Sequence, residues 1–420
     1  MSEGFICRNS GDGYATINFN TYTGVVHESL TSSSRALTEG RASLAATNVG
    51  DYALFGGGYS VVNSDSVRSD VVDAYNTNLT RTTPTSLSEA RYYLSATTVG
   101  DYALFGGGYN RVAVSTVDAY NTSLTRTTPT SLSKERLYLS ATAVGDYALF
   151  AGGTSSSNIV DAYNASLVHT TPTSLSEVKD KLAATRVEGD KSQGKDYALF
   201  GGGNASASGS NTVDSYNASL VHTTPTSLSE ARYYLSATSV KTYYKSLSPS
   251  GGFYNEYYAI FAGGYNGSKQ SSTVDAYNVS LTRLTPSNLS EARSLLASSM
   301  TSSYAFFGGG RNNSSGYSSV VDIYDESFLR YSAPNFIEVK RELSATNIGN
   351  YVLFGGGYSL SNGYLSTVEH YTVDNIFQVF PETKYKFSGM SSEQTSSSIK
   401  TVTVKPPISG YIKVKTTNIS

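Results

Sequence analysis

The chain has 420 residues, a formal net charge of −2 and a single cysteine, which argues against an electrostatic nucleic-acid binder and a polybasic membrane signal and excludes any intrachain disulfide. Tryptophan is absent while tyrosine reaches 34, and charged residues make up 15% against 39% hydrophobic, so the composition reads as turn-rich β structure with little material for one large core. Length alone would allow two or three domains, a prior that internal repeats override.

The N-terminal segment, residues 1–40, opens on Met1-Ser-Glu-Gly-Phe-Ile-Cys7, without the basic region and apolar core of a signal peptide. No stretch of the chain approaches the roughly 20 apolar residues that cross a bilayer. The expectation is cytoplasmic synthesis without membrane insertion, with transport by another route or on a virus particle left open. Cys7 has no His or Asn arrangement beside it and reads as an inert thiol. Tyr14-Ala-Thr-Ile-Asn-Phe-Asn20 and Val25-Val-His-Glu-Ser-Leu30 resemble degenerate third and fourth strands of the unit that fills residues 41–372, placed to complete the last unit and close a ring.

One such unit runs Glu89-Ala-Arg91-Tyr-Tyr-Leu94-Ser-Ala-Thr-Thr-Val-Gly-Asp-Tyr102-Ala-Leu-Phe-Gly106-Gly-Gly108, then a variable stretch, then Thr116-Val-Asp118-Ala-Tyr120-Asn121 and Leu124 to Leu132. Its glycine run begins at 56, 106, 151, 201, 262, 308 and 355, with Ala first at 151 and 262, giving seven copies. Each copy holds four short β-like stretches separated by turn residues. The fold class expected is therefore all-β: a seven-bladed β-propeller of four-stranded antiparallel blades, with the small residues of the first strand nearest the axis.

Positions that recur in every copy read as structure. Gly57, Gly107 and Gly152 allow positive φ and close backbone approach. The basic residues Arg41, Arg91, Arg136, Lys179, Arg232, Arg293 and Lys340 precede the first strand. One ring of carboxylates, Asp73, Asp118, Asp161, Asp214, Asp275, Asp322 and Glu369, lies in the third strand; Glu39, Glu89, Glu135, Glu177, Glu230, Glu291 and Glu338 form a second before the basic residue. Both rings are expected to pair with the basic ring, since an active site is normally built once rather than seven times. His169 and His222 stand where another copy has Arg126, which marks a tolerant, exposed position. No metal ligand set, cofactor motif or catalytic constellation emerges: the glycine runs end strands instead of opening helices, so they are not phosphate cradles. The Asn-x-Ser/Thr turns, such as Asn164-Ala-Ser, read as Asx turns.

The doublets Gly57-Gly58, Gly152-Gly153 and Gly263-Gly264, the tyrosines Tyr75, Tyr120, Tyr163, Tyr216, Tyr277, Tyr324 and Tyr371, and the basic ring resemble the kelch-repeat family over most of the chain. The usual Trp near the fourth strand is missing throughout. The resemblance implies a ligand platform on the face shared by the second-to-third-strand loops and the approaches to the innermost strands. Candidate binding residues on those loops are Tyr59, Arg68, Tyr109, Arg111, Tyr265, Arg311, Tyr358 and Tyr364, a Tyr/Asn/Ser-rich mixture suited to adaptable contact. The fifth copy carries an insertion, Lys241 to Glu256, on the opposite face, which adds Tyr243, Tyr244, Phe253 and Tyr254 as a second candidate contact surface. A smaller polar insertion surrounds Glu188 to Lys195 in the fourth.

Residues 373–420 do not repeat. Thr401-Val-Thr-Val and Gly410-Tyr-Ile-Lys-Val-Lys flank Pro406-Pro407, a hairpin-like pattern made basic by Lys384, Lys386, Lys400, Lys405, Lys413 and Lys415, and this extension is a candidate dock for a larger assembly. The functional expectation is a non-enzymatic recognition or scaffold protein that binds a protein or glycan. Its near-identical tandem copies are similar to those of phage and bacterial surface proteins, which implies a tail, baseplate or adhesion setting. The alternative is a kelch-fold carbohydrate-active enzyme, epimerase-like, with its site at the channel mouth. A copper oxidase would need a Tyr–Cys crosslink that Cys7, outside the repeats, does not offer.

Overall fold

The computed structural model describes residues 3–8, 14–154, 157–189, 194–205, 208–245, 253–301, 303–314, 316–379 and 401–404; within these, side chains are described between 25 and 373, except 208 and 242–256. The chain divides into two compact units, His27–Tyr371 and the pair of segments 1–26 and 372–420. In the second unit Glu3–Arg8 runs antiparallel to the first part of Tyr14–Leu30, and Asn375–Gln378 pairs with Thr401–Val404. Pro406, Pro407, residues 410–415 and the six lysines from Lys384 to Lys415 lie outside the described residues.

The first unit is a seven-bladed β-propeller of four-stranded antiparallel blades. Blade 1 is Ala45–Val49, Tyr52–Gly56, Val72–Asn76 and Arg81–Thr82, and blades 2 to 6 repeat that order. Blade 7 takes its inner three strands from Ser344–Ile348, Tyr351–Gly355 and the start of Val368–Val379, and its outermost strand from the end of Tyr14–Leu30. An N-terminal strand thus sits beside the last repeat, and the circle has no open edge between blades 7 and 1. In blade 5 the inner hairpin is lengthened to ten residue pairs, from Ser236↔Ala262 to Lys245↔Phe253; it meets blade 4 through Glu188↔Tyr257. No helix among the described residues is long and apolar enough to cross a membrane.

The core is divided among the gaps between blades. Between blades 1 and 2, Leu54, Val72 and Ala74 pack against Leu94, Phe105 and Tyr120. Small size at the glycine position makes this stacking possible: a Cβ on Gly56 would lie 2.8 Å from the Phe105 ring. Gly57 has φ +69° and its Cβ would meet the Arg91 carbonyl of the next blade at 2.6 Å, so only glycine fits. Gly107 and Gly152 repeat this against Arg136 and Lys179.

The basic ring and the third-strand carboxylates pair within each blade, fully buried: Arg41–Asp73, Arg91–Asp118 and Arg232–Asp275 at 2.8 Å, Lys179–Asp214 at 2.9 Å, Arg293–Asp322 at 2.6 Å, Lys340–Glu369 at 2.5 Å, and Arg136–Asp161. A second side chain from the outermost strand reaches each carboxylate: the guanidinium of Arg81, Arg126, Arg283 or Arg330, or an imidazole nitrogen of His169, His222 or, across the closure, His27. This corrects the reading of His169 and His222 as exposed; their side chains are 17% and 16% exposed and sit 2.7 and 2.8 Å from Asp161 and Asp214. The second ring of glutamates is corrected too. Glu39, Glu89, Glu230 and Glu291 accept hydrogen bonds from the hydroxyls of Ser69, Thr116, Ser271 and Ser318; among the described residues only Glu177 comes within ion-pair distance of its own blade's cation, 3.9 Å from Lys179, while Glu230, Glu291 and Glu338 act on theirs at longer range. Glu135 directly precedes Arg136, and Lys134 holds the position that glutamate fills in the other copies.

Candidate functional site: a tyrosine platform around the channel mouth

Each blade begins with the buried cation, two variable residues and a leucine. The second variable residue is Ser43, Tyr93, Tyr138, Lys181, Tyr234, Leu295 or Glu342, and all seven have φ between 54° and 58°. A left-handed conformation costs a residue with a Cβ roughly 1 kcal/mol, and for a tyrosine it is a true outlier. A closed circle of hydrogen bonds offsets the cost. Each N–H donates to the carbonyl of its counterpart in the preceding blade: Tyr93 to Ser43, Tyr138 to Tyr93, Lys181 to Tyr138, Tyr234 to Lys181, Leu295 to Tyr234, Glu342 to Leu295, and Ser43 back to Glu342, at 2.9–3.2 Å. The backbone here is uniform while the side chains differ, so the circle is a fixed frame carrying seven chosen groups.

Beneath the frame lies the central channel, about 260 Å³, lined by Ala and Ser of the innermost strands and by leucines including Leu44, Leu94 and Leu182. Around it the first variable residue of each pair meets the residue that follows the glycine doublet: Ala42↔Tyr59, Tyr92↔Tyr109, Asp180↔Asn204, Tyr233↔Tyr265, Ser294↔Arg311 and Arg341↔Tyr358, and in blade 3 the Thr154 N–H donates to the Leu137 carbonyl. Loop and frame therefore share one face.

Tyrosines tile most of that face. Tyr317, Tyr358, Tyr364 and Tyr59 follow one another at 6.0, 5.0 and 5.2 Å between ring centres. The chain continues through Tyr92 at 4.7 Å, Tyr93 at 4.6 Å, Tyr138 at 4.1 Å and Tyr234 at 6.2 Å, then Tyr233 and Tyr265 at 5.4 Å each. The Lys181 ammonium lies 5.2–5.9 Å from the rings of Tyr138, Tyr233 and Tyr234, and the Arg341 guanidinium 5.0 Å from Tyr317. Burial raises the phenol pKa of Tyr59, Tyr93 and Tyr138, and pushes Tyr234 to about 12. These phenols stay neutral at physiological pH and serve as hydrogen-bond donors and acceptors on half-buried rings.

Of the residues expected on the loops, Tyr59, Tyr109, Tyr265, Tyr358 and Tyr364 join this tiling. Arg68 pairs across its hairpin with Tyr59. Arg111 and Arg311 are exposed at the rim. Tyr243, Tyr244, Phe253 and Tyr254 belong to the lengthened hairpin at the far end of the innermost strand, away from the mouth; their side chains lie outside the described ones, as does the whole tip, 246–252. Sequence reasoning missed the seven frame residues together with Tyr92, Tyr233 and Arg341. The available signal was variation at two positions fixed between an unchanging cation and an unchanging leucine. Among the described residues no group of three or more His, Cys, Asp and Glu is placed to hold a metal ion.

No family model matches the chain, and no curated protein sequence matches it. Among solved structures, one titled "Structure of YjhT" aligns over 85% of this chain and 100% of its own, with a TM-score of 0.47 and 9% sequence identity.

Proposed function

We propose that the chain is a non-enzymatic recognition protein that binds a glycan across the tyrosine platform. The observation that carries this reading is the unbroken run of half-buried tyrosines around the channel mouth, anchored at its centre on a hydrogen-bonded backbone circle. Rigid aromatic faces stack on the apolar faces of sugar rings at little entropic cost, while their hydroxyls, Ser43 and Asn110 can meet sugar hydroxyls. The glycine doublets and the repeated ion pairs support placing the chain with the kelch-like propellers. The near-identity of its copies supports a setting on a phage tail, a baseplate or a bacterial surface.

The test is a glycan array probed with the full chain and with Tyr93→Ala and Tyr138→Ala. Each substitution should weaken binding by about tenfold or more while the melting temperature falls by only a few degrees. A protein captured from host lysate with no signal on the array would replace the ligand class. Equal binding by both variants would move the site off this face.

A second reading, an epimerase-like enzyme at the mouth, draws support from Glu342. Its carboxylate stands in the frame, accepts the Ser43 hydroxyl at 2.7 Å and lies close enough to Tyr59 and Tyr93 to act on both phenols. Exchange at a sugar stereocentre, followed by NMR and abolished in Glu342→Gln, would establish it.

A further inference from the structure

The frame is electrically polarised. Five of its seven side chains are neutral; Lys181 carries the one positive charge and Glu342 the one negative charge. They belong to blades 4 and 7, the widest separation a circle of seven allows. Tyr234 and Leu295 lie on one arc between them, Ser43, Tyr93 and Tyr138 on the other. Each charge has an opposite neighbour one residue before it, directed to the loops: Asp180 lies 3.5 Å from Lys181, and Arg341 lies 3.5 Å from Glu342. The order of signs is reversed between the two blades, so the inner circle presents plus opposite minus while the outer circle presents minus opposite plus.

Both pairs are long and partly solvated, with Lys181 19% and Glu342 11% exposed. Each pair joins residues already adjacent in the chain, so it ties no distant part of the fold together. Their partners are also incompletely satisfied: Asp180 Oδ1 and Arg341 Nε are buried without a hydrogen-bond partner. The Lys181 ammonium is held over three tyrosine rings and keeps N–H donors for a ligand.

We infer that the ligand is a zwitterionic saccharide, whose acidic group sits at Lys181 and whose amino group sits at Glu342, with its sugar rings over Tyr93, Tyr138 and Tyr234. This rests on the glycan reading of the platform and adds the polarity to it. A neutral sugar would leave each charge to its long adjacent pair and to water, and a ligand with one charge would engage one pole only.

Four tetrasaccharides separate the possibilities when titrated into the full chain by calorimetry: alternating glucuronic acid and glucosamine, the same with N-acetylated amines, glucosamine alone, and glucose alone. The first should bind about tenfold tighter than the second or third, and its affinity should fall as salt rises. Lys181→Met should erase its advantage over glucosamine alone, with Lys181→Arg restoring it. Glu342→Gln should erase its advantage over the N-acetylated form. Unchanged melting temperatures would show that the charges act on the ligand and not on the fold. If all four bind alike and the substitutions change nothing, the polarity is overturned and the platform stands; if none binds, the glycan reading falls as well.

Discussion

The side chains that build the propeller and those that face a ligand occupy neighbouring positions under opposite constraints. Arg232 is fully buried, 2.8 Å from Asp275, and donates to the Phe261 carbonyl. Replacing it with alanine leaves a buried carboxylate without its main partner, which costs about 3–5 kcal/mol. Arg232→Ala should therefore lower the urea midpoint sharply while glycan affinity, measured at low denaturant, stays unchanged; loss of affinity with intact stability would reverse the assignment. Arg232→Lys should cost far less, because Lys179 and Lys340 fill the same place in blades 4 and 7. The pairing of cation and carboxylate was legible in the sequence because both partners recur in all seven copies at the same places in the repeat pattern, one before the first strand and one in the third, although the number of residues between them varies. The glutamate ring was misread for the same reason: recurrence shows that a carboxylate has a partner, but Ser69, Thr116, Ser271 and Ser318 sit among so many hydroxyls that nothing marked them. Tyr138 and Lys181, two residues on from the basic residue of each copy, carried no such mark, because they vary in residue type at a place of fixed length.

The outermost strand of blade 7 is the element on which the circle depends, since no peptide bond joins it to the strand it pairs with. Two histidines sit at this closure. His27 stacks on Tyr371 at 4.5 Å and lies 2.7 Å from Glu369; His370 is 4% exposed, with Tyr351 edge-on and Glu28 at 3.3 Å. Burial holds the His370 pKa below its usual 6.5, with Arg35 and His27 also opposing its charge and Glu28 favouring it. A depressed histidine is neutral in the folded chain, so its contribution is whole above pH 6.5 and declines as pH falls from there toward its folded value. Burial raises the Glu369 carboxyl, but His27, Lys340 and the Ile337 N–H outweigh it and bring it below 4.5; that contribution is lost further into acid. Both signs agree, so the closure weakens on acidification in two steps. The urea midpoint of the full chain should drop between pH 7 and pH 5, and His370→Gln should flatten that first step while leaving the deeper acid loss in place. A midpoint independent of pH across that range would contradict the account.

At the scale of the whole propeller, the seven-blade architecture was readable because each glycine run follows a strand of the Tyr-Ala-Leu-Phe kind, four of the seven in that form, and a period near the size of four short strands admits few other folds. What joins the blades was not readable, because the seven left-handed residues share a backbone geometry and no residue type. That circle ties every blade to two neighbours, and phenylalanine rings of the next blade packed on Gly56, Gly106, Gly201 and Gly355 reinforce it, with Ala at 151 and 262. An open array of repeats can fray from its ends and responds locally to a mutation; a closed circle has no end to fray. Asp118→Asn in blade 2 and His27→Ala at the closure should therefore reduce stability everywhere in His27–Tyr371. Native-state hydrogen exchange reads this directly. Amides of the innermost strands Ser95–Val99, Ser140–Val144, Ala297–Met300 and Ser344–Ile348 should open with one common free energy in the parent chain, and each variant should lower all four by the same amount. If Asp118→Asn lowered protection in Ser95–Val99 alone, the blades would be independent repeats, and the hydrogen-bonded frame beneath the platform would be a consequence of their stacking instead of the device that holds them together.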